Sequence, residues 1–409
     1  MTEPHEETID AFREWVRANA HDDLTVREWW CRLADSGWGF PSWPVGLGGR
    51  GLSGDASRAI RRAFVELDLL GPPHGYALTM LAPTVLEHGS DAQRQRFVLP
   101  VARGELTACQ LFSEPEAGSD LASLRTKATR DGSTWTIDGQ KVWNSGAHEA
   151  DVGMLLARTN PDVPKHRGMT YFLLPMDQPG VDVRPLRQMN AMAEFNETFM
   201  AAAVVRDDDR LGDVGNGWKV AQTTLALERS AAPPASKTVP AGERAGWLGR
   251  SLREARHDAG AERRRPAMYS RSGWAARALA QRVGRSNDPI IRQEIADLYI
   301  RSEIQKLTAR RVRTTRIAGG PQILKLQAAE LARRARDVDL RILGANGVAS
   351  DDHRFDDVIL MSLSAHIVSI GGGTDQIQKN ILGERALGLP REPDTSKKVP
   401  FNQVARSDR

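Results

Sequence analysis

A carboxylate lies on the apolar face of a predicted helix near the middle of the chain. The helix begins after residue 217, and its apolar face carries Trp218, Ala221, Leu225 and Glu228, at spacings of three, four and three residues. A carboxylate rarely lies among apolar residues without a partner or a task. Poor hydration would make Glu228 a base that can remove an acidified proton. An ion pair with Arg229 or with a neighbouring chain explains its position equally well.

A second candidate site is the stretch 110–120 (QLFSEPEAGSD), where a predicted strand runs into a turn. Pro115 fixes its φ angle, and Gly118 permits another group to approach the backbone closely. The hydroxyl groups of Ser113 and Ser119 could then line a cavity together with free backbone amides. The same composition is typical of an ordinary turn, so both interpretations stay open for this stretch alone.

Three stretches of different periodicity must position these residues. Residues 1–107 have helical spacing interrupted by a Gly/Pro-rich loop at 37–54, residues 108–206 have the pattern of strands, and residues 207–409 are helical again. One stripe in the last stretch consists of Leu324, Ala328, Leu331, Ala335, Val338 and Ile342. A β-domain between two helical domains creates clefts at the junctions, where ligand sites tend to form.

The strand region contains a specific turn signal. Two short strand-like runs, 134–137 and 140–143, are separated by Asp138 and Gly139. A two-residue hairpin turn needs positive φ at both central positions, and Asp-Gly supplies it, so a tight hairpin is predicted here. Residues 152–157 and 169–174 are predicted as further strands.

Composition places the chain among soluble globular proteins. It has 409 residues, of which 40% are hydrophobic and 26% charged, so two or three domains are expected. No uninterrupted apolar run is long enough for a bilayer, and the acidic N-terminus does not resemble a secretory signal. Cys31 and Cys109 lack metal-type or redox-type spacing, so we expect no metal site, no disulfide and a cytoplasmic location.

The net charge of +4 conceals one strongly basic segment. Between residues 244 and 285 there are eleven arginines and three acids. A solvated surface is the favoured interpretation, ahead of a docking site for phosphates or an acidic partner. No aromatic residues alternate with the basic ones in the manner of single-strand binders, so nucleic acid is not an expected partner.

Several motifs, in their order along the chain, resemble those of the acyl-CoA dehydrogenase family. They are WPxxLGGRG at 43–51, SEPxAGSD at 113–120, DGQKxWNS at 138–145, ART at 157–159 and GGTDQIQKNI at 372–381. The resemblance implies an α+β multidomain fold with an N-terminal α-helical domain (1–107), a central β-barrel-like domain (108–206) and a C-terminal four-helix-bundle domain (207–409). It also implies FAD as cofactor, an acyl-CoA substrate, an electron-transfer flavoprotein as electron acceptor, and a homo-oligomer, often a tetramer, in lipid metabolism such as β-oxidation.

The resemblance assigns eight residues to FAD. Those near the isoalloxazine ring are Gln110, Phe112, Ser113, Trp143 and Ser145. Those near the phosphates or the ribityl–adenosine arm are Ser119, Thr374 and Gln376, and Ser119 could instead contact the substrate. For Trp143, the plainer interpretation is a half-buried strand tryptophan, which is its usual role.

The resemblance also bears on the catalytic base. Many family members carry the catalytic glutamate two residues before the threonine of the C-terminal signature, and that position is Gly372 here. A second arrangement, similar to that of isovaleryl and long-chain dehydrogenases, places the base on a helix whose match here carries Glu228. Because position 372 carries a glycine and position 228 carries a glutamate, Glu228 is the predicted base. The backbone amide of Gly372 is predicted to bind the thioester oxygen, which places Glu228 and Gly372 at the substrate.

The sequence departs from the family pattern in the region that often reaches a neighbouring subunit's FAD. The usual Arg-x-x-Phe-Gly segment reads QRVGR at 281–285, without the phenylalanine, and Arg341 replaces a common glutamine. Arg282 or Arg285 could replace the lost contact. Two other functions therefore stay open: a non-catalytic subunit of a heteromeric dehydrogenase, and a flavin oxidase or monooxygenase in a biosynthetic pathway.

Overall fold

A computed structural model describes residues 3–230, 236–262, 273–315, 317–347, 349, 355–391, 393 and 398–404 of the chain. The chain divides into two compact units. The first comprises Met1–Arg187, Ala193–Arg264 and Thr395–Arg409, and the second comprises Gln188–Met192 and Arg265–Asp394. The domain boundaries expected near residues 107 and 206 stay predictions.

The first unit begins with five helices. They are α1 (Glu3–Asn19), α2 (Val26–Ser36), α3 (Gly54–Glu66), α4 (Ala82–His88) and α5 (Asp91–Ala102). Thr25 begins α2 with a capping box, in which its side chain and that of Glu28 each accept the other's backbone N–H. In the core of these helices, the buried indoles of Trp29 and Trp30 donate hydrogen bonds to backbone carbonyls, at 2.8 and 3.0 Å. Burying a tryptophan without leaving its N–H unpaired stabilises this core.

Residues 236–262 return to that same helical core. Helix α7 (Leu252–Glu262) and the loop before it contribute Leu248, Leu252 and Ala255 to the apolar cluster around Trp29. The arginines of the basic segment lie at its edge, where Arg256 pairs with Asp22 at 2.8 Å. The other arginines of the segment include Arg263, Arg264, Arg265 and Arg271, which lie outside the described residues.

One eight-stranded sheet forms the centre of the first unit. The strands are β1 (Ala108–Leu111), β2 (Lys127–Asp131), β3 (Thr134–Val142), β4 (Val152–Arg158), β5 (Met169–Pro175), β6 (Val181–Leu186), β7 (Phe195–Arg206) and β8 (Arg210–Leu211). Their order is β6-β7-β3-β2-β4-β5-β8, and β1 pairs with β4 in parallel. Every residue of β4 is buried, as are all but the last of β5, because apolar side chains cover both faces of these strands. The strands predicted at 152–157 and 169–174 are confirmed.

The tight hairpin predicted at Asp138 and Gly139 is wrong. Strand β3 continues through both residues, and its register with β7 shifts between Ile137 and Gly139, which makes this point a β-bulge. Gly139 has a φ of 154°, and a Cβ atom there would lie 2.5 Å from Thr126 Oγ1. Positive φ at glycine serves a bulge as well as a turn, and the local pattern cannot separate the two. The hairpin turn lies at 132–133, between β2 and β3.

Helix α6 (Gly217–Ser230) packs against the sheet and the N-terminal helices. Val220 and Ala221 are buried in the cluster that also holds Leu156 and Tyr171. The neighbouring residues of the N-terminal region form one π-helical turn, Ala77–Leu81, in the same cluster. Such turns are rare and often occur at functional sites.

The C-terminal residues 398–404 also belong to the first unit. The N–H of Phe401 donates to the carbonyl of Val163 at 2.9 Å, and that of Asn402 donates to Pro161 at 3.0 Å. The Phe401 ring lies 3.8 Å from the guanidinium of Arg158, a buried side chain that bonds three carbonyls of the neighbouring loops. The end of the described chain is therefore attached to the sheet domain.

The second unit is helical. Its helices are α8 (Gly273–Arg282), α9 (Pro289–Thr314), α10 (Gly320–Leu343), α11 (Asp356–Ser364), α12 (Ile367–Ile370) and α13 (Asp375–Ile381). The predicted stripe on α10 is confirmed at Leu331, Ala335, Val338 and Ile342, which are buried against α8 and α9. The α+β fold class is confirmed as well, since helices flank a mixed sheet in the first unit and make up the second.

By length and composition alone, Asp356–Ala386 qualifies as a membrane span, which is weak evidence because helices of soluble proteins pass the same test.

The arginines at the positions that depart from the family pattern have partners inside the second unit. Arg285 donates to the carbonyl of Arg341 at 2.7 Å and pairs with Asp288 at 2.9 Å. Arg341 pairs with Glu294, and Arg282 lies over the ring of Phe355 at 5.1 Å. These contacts stabilise the ends of α8 and α10, so all three arginines have structural roles within the chain.

Candidate active site

The end of strand β1 forms one wall of the candidate site. Gln110 still pairs with Met154 of β4, whereas Phe112 has left the sheet and its ring meets that of Tyr171 edge-on, with centroids 5.8 Å apart. Phe112 is buried and Ser113 is half-buried. The Ser113 carbonyl accepts a hydrogen bond of 2.9 Å from Val142 N–H at the end of β3. The first motif and the end of β3 therefore form one continuous wall.

A buried ion pair lies behind this wall. The Lys141 ammonium donates to Glu114 Oε1 at 2.8 Å and to the Phe112 carbonyl at 2.9 Å. Burial lowers the pKa of Lys141, and the neighbouring Glu114 carboxylate opposes that effect. Burial alone would raise the pKa of Glu114, but Lys141 and hydrogen bonds from Thr126 and Arg125 outweigh it, so that pKa lies below its usual value.

Trp143 adopts a backbone conformation that tryptophan rarely takes. Its φ is 64°, in the left-handed region, and 60% of its side chain is exposed. Its only aromatic neighbour in the described part of the chain is Phe195, edge-on at 5.8 Å. Strained residues of this kind cluster at functional sites, and an exposed indole on rigid strands offers a flat surface to a ligand. The half-buried strand tryptophan of the plainer interpretation does not describe it.

The residue after Trp143 links three strands. Asn144 donates from Nδ2 to the Gln110 carbonyl at 2.8 Å, and its own carbonyl accepts from Asn196 Nδ2 at 2.8 Å. Both asparagines are buried. Ser145 follows in a half-buried loop, close along the chain to Trp143. Through Asn144 and Val142, the structure places Trp143 beside Gln110, Phe112 and Ser113, and their role toward a cofactor stays a prediction.

The wall suits a flat aromatic cofactor. Trp143 presents an exposed ring, and the Ser113 N–H has no hydrogen-bond acceptor among the residues that the structure describes. Isoalloxazine has carbonyl and ring-nitrogen acceptors that could use such a donor. Ser119 is exposed in the turn before Asp120, whose carboxylate pairs with Lys165 at 2.8 Å.

Glu228 lies near the C-terminal end of α6. Burial is the largest influence on its pKa and raises it, while Gln110 and the charge of Arg229 act in the opposite direction. Glu228 is half-buried, and the protein around its carboxyl group makes the charged form less favourable than it is in water. Gln110 Nε2 is buried without a hydrogen-bond partner among the described residues, and Gln110 lies close enough to Glu228 to lower its pKa.

The second unit holds the other predicted residues. Gly372 and Gly373 have φ angles of 66° and 87°, and the buried Gln378 donates from Nε2 to the Gly372 carbonyl at 2.8 Å. Thr374 begins α13, its hydroxyl accepting from Ile377 N–H at 3.3 Å, and Gln376 is exposed in the first turn. This unit therefore presents a glycine turn directly before a helix.

Sequence reasoning missed the residues that hold the site in place. Lys141 and Glu114 lie inside the motifs but are not among the predicted site residues, although a lysine in an otherwise half-buried strand is an available signal. Asn196 and Gln378 carry no local signal, because their partners are distant in sequence or are backbone groups. No cluster of His, Cys, Asp and Glu suited to a metal occurs among the described residues.

Comparison with known proteins assigns the family. Three family models match along the chain: the acyl-CoA dehydrogenase N-terminal domain at 2–105, the middle domain at 109–201 and the C-terminal domain at 265–387. Acyl-CoA dehydrogenase IpdE1 of Mycobacterium tuberculosis is 33% identical over 369 residues, covering 90% of this chain and 88% of that protein. Acyl-CoA dehydrogenase FadE34 of the same organism is 35% identical, covering 88% of this chain but 46% of its own.

Solved structures agree with this assignment at the level of fold. The ChsE4–ChsE5 complex from Mycobacterium tuberculosis contains a chain with a TM-score of 0.66 and 24% identity, covering 96% of this chain and 99% of that one. Glutaryl-coenzyme A dehydrogenase has a TM-score of 0.62 and 18% identity, with 98% of both chains covered. With its predicted motifs, its sheet between helical regions and three matching domain models, this chain belongs to the acyl-CoA dehydrogenase family of FAD-dependent oxidoreductases.

Proposed function

We propose that this protein removes two hydrogens from the α and β carbons of an acyl-CoA thioester and releases a 2-enoyl-CoA. The proposal rests on the environment of Glu228. Burial raises the pKa of this carboxylate, and Gln110, in the wall at the end of β1, lies close to it. A carboxylate with a raised pKa is a better general base than a solvated one.

Each residue then has a chemical task. Glu228 takes the α-proton as the C–H bond breaks, and the backbone N–H of Gly372 stabilises the negative charge that develops on the thioester oxygen. A donor placed at developing charge is typically worth ~10²–10³ in rate. Gln110, Phe112, Ser113, Trp143 and Ser145 hold the isoalloxazine ring, and Thr374 and Gln376 hold the rest of the cofactor. When bound, FAD supplies the acceptor for the hydride that leaves the β-carbon.

The acyl group is proposed to be bulky. Gly372 places no side chain where many family members carry the catalytic glutamate, which leaves room beside the α-carbon. A solved neighbour with a TM-score of 0.65 and 24% identity is described as the Tcur3481–Tcur3483 steroid acyl-CoA dehydrogenase. We further propose an electron-transfer flavoprotein as acceptor, with the enzyme acting in cytoplasmic lipid breakdown as a homo-oligomer.

The test is flavin bleaching by a panel of thioesters without oxygen. Straight-chain acyl-CoAs of short, medium and long length are compared with a steroid side-chain CoA thioester, for the unmodified protein and for Glu228→Gln. Glu87→Gln is the matched control, since Glu87 is an exposed carboxylate whose Oε1 accepts a hydrogen bond from Thr223 of the same helix α6. We expect Glu228→Gln to bleach at least ~10²-fold more slowly and Glu87→Gln to behave like the unmodified protein.

Two outcomes would contradict this function. Rapid bleaching by Glu228→Gln would show that Glu228 is not the base. An absence of bleaching with every thioester would contradict the proposed dehydrogenation. Exchange of the α-proton with deuterated water provides a separate readout of the base, because it does not require oxidation. Oxygen consumption without an acceptor protein would indicate the oxidase alternative instead.

A second candidate is a subunit of a heteromeric dehydrogenase. The solved ChsE4–ChsE5 and Tcur3481–Tcur3483 neighbours are each named for two components, which favours this candidate. The internal partners of Arg285 and Arg341 also leave these side chains less available for a neighbour's cofactor. Co-expression with dehydrogenase-like proteins encoded nearby, followed by native mass measurement and flavin content per chain, separates a homo-oligomer from a mixed one.

A further inference from the structure

Lys141 lies in a position that stability alone does not explain. Its side chain is 0% exposed, and its ammonium has two described acceptors, Glu114 Oε1 and the Phe112 carbonyl. Removing two opposite charges from water often costs about as much as their attraction returns, so apolar residues of similar volume would usually stabilise the fold equally well. A buried pair of this kind is better explained by the geometry it imposes on its neighbours.

Glu114 keeps the ammonium in one place. Its two oxygens accept hydrogen bonds from the backbone N–H groups of Arg125, at 2.6 Å, and Thr126, at 2.9 Å. Both donors belong to the backbone that leads into β2, so the carboxylate cannot turn away without losing them. The Lys141 ammonium is therefore directed at the Phe112 carbonyl by groups that do not themselves contact a ligand.

The contact with Lys141 also orients the Ser113 N–H, which belongs to the same peptide group as the Phe112 carbonyl. In a trans peptide the carbonyl oxygen and the following N–H point to opposite sides of the chain. Because the Phe112 carbonyl points toward Lys141, the Ser113 N–H points away from it, and no acceptor for that N–H occurs among the described residues. The Ser113 carbonyl accepts a separate hydrogen bond of 2.9 Å from Val142 N–H, which fixes the peptide group that follows Ser113.

We propose that Lys141 is a positioning residue that presents the Ser113 N–H to the isoalloxazine ring, with Glu114 holding Lys141 in register. The proposal deepens the proposed function, since it rests on FAD lying against this wall. A cation bonded to a peptide carbonyl also polarises the N–H of the same peptide, because neighbouring hydrogen bonds strengthen one another. A stronger donor beside the ring favours the reduced, more negative form of the cofactor.

The test combines a charge-neutral double variant with a single one. Lys141→Met with Glu114→Gln removes the donor to Phe112 without leaving a buried charge unpaired. We expect the dissociation constant of FAD to rise about tenfold, the equivalent of ~1.4 kcal/mol, and the flavin midpoint potential to become more negative. Glu114→Gln alone keeps the Lys141 donor but removes its counter-charge, so it should lose more thermal stability than the charge-neutral double variant while its flavin potential shifts by less. A flavin potential that shifts equally in the two variants would overturn the proposal.

A matched control separates positioning from general destabilisation. Ile137 is fully buried on the same strand as Lys141, and Ile137→Ala removes packing without touching the wall. If Ile137→Ala loses as much thermal stability as the double variant and shifts FAD affinity and potential equally, Lys141 has no specific role. An unchanged FAD affinity and potential in the double variant would overturn the proposal as well.

A measurement on the unmodified protein covers the case in which the double variant does not fold. Residue-resolved hydrogen exchange of the Ser113 amide, with and without FAD, should show at least tenfold slower exchange in the holoenzyme. An unprotected Ser113 amide in the holoenzyme would contradict the proposal. None of these readouts requires acyl-CoA oxidation, so they stay informative if no thioester bleaches the flavin and the proposed function fails.

Discussion

Asn196 and Asn144 exchange two hydrogen bonds beside Trp143. Asn196 Nδ2 donates to the Asn144 carbonyl at 2.8 Å, and Asn144 N–H donates to the Asn196 carbonyl at 3.0 Å. Trp143 directly precedes Asn144 and has a φ of 64°, a conformation that costs ~1–2 kcal/mol for a residue with a Cβ atom. The strain persists because strand β7 holds the next residue, and this keeps the indole exposed on the wall.

Replacing Asn196 should therefore loosen the wall. Asn196→Leu keeps the size of the buried side chain and leaves the Asn144 carbonyl with only a long contact of 3.4 Å from Ala147 N–H, so it should lower the free energy of unfolding by ~1–3 kcal/mol. Urea denaturation measures the loss, and FAD titration should show weaker binding. Asn160→Ala is a control on a surface loop, where the lost side-chain contact to Asp162 N–H is exposed. Unchanged stability and FAD affinity in Asn196→Leu would show that the wall does not depend on this pair.

Turnover should depend on pH through Glu228. Burial raises the pKa of this carboxyl above its usual value, and only the deprotonated form can accept the α-proton. The rate constant of flavin bleaching should therefore fall as the pH is lowered through that raised pKa, and stay constant above it. Stopped-flow bleaching at saturating thioester between pH 5 and 9 measures the profile. A rate that increases toward low pH would be incompatible with Glu228 as the base.

The same carboxyl should make the protein less stable at neutral pH. A group whose pKa is raised by folding binds its proton more tightly in the folded state, so stability falls as the pH rises from the unfolded value to the raised one. Above that window the penalty is fully present. Glu228→Gln removes it, so this variant should melt at a higher temperature than the unmodified protein at pH 7.5, with the difference shrinking toward pH 4. An equal or lower melting temperature at pH 7.5 would contradict the raised pKa.

A chain of buried hydroxyl groups should hold α6 in position. Thr224 Oγ1 lies 3.1 Å from Thr84 Oγ1 and 3.2 Å from the Tyr171 hydroxyl, and all three residues are buried. Burial also raises the pKa of Tyr171, so that hydroxyl stays neutral. Thr224→Val removes the central hydroxyl and should cost ~1–3 kcal/mol of unfolding free energy, because Thr84 and Tyr171 are left without it.

The neighbouring residue offers a control for this prediction. Thr223→Val removes a hydroxyl that bonds His88 at 2.8 Å and the exposed Glu87 at 3.3 Å; because water can replace the contact with Glu87, the cost should be smaller than that of Thr224→Val. Chemical denaturation of both variants gives the comparison. Equal losses would mean that the buried chain contributes nothing beyond an ordinary surface contact.

Much of the fold was predictable from the sequence because its signals are local. The 3.6-residue period of α10, the strands at 152–157 and 169–174 and the motifs around Ser113 and Gly372 each depend on a few consecutive residues. Glu228 could be singled out because helical spacing alone places it with Ala221 and Leu225. Asp138 and Gly139 show the limit of such reasoning: positive φ at glycine suits a hairpin turn or a bulge, and only pairing with β7 decided for the bulge.

The hydrogen bonds that keep the site residues in position could be identified only from the tertiary structure. The partners of Lys141, Asn144 and Gln378 are a distant carboxylate or backbone carbonyls, and every residue has a carbonyl, so no sequence pattern marks the one that is used. The pKa of Glu228 likewise depends on the number of protein atoms packed around it, which no periodicity reveals. Residue types and their spacing show which side chains are chemically able to act. Their hydration and orientation come from the folded structure, because both depend on contacts between residues far apart in the chain.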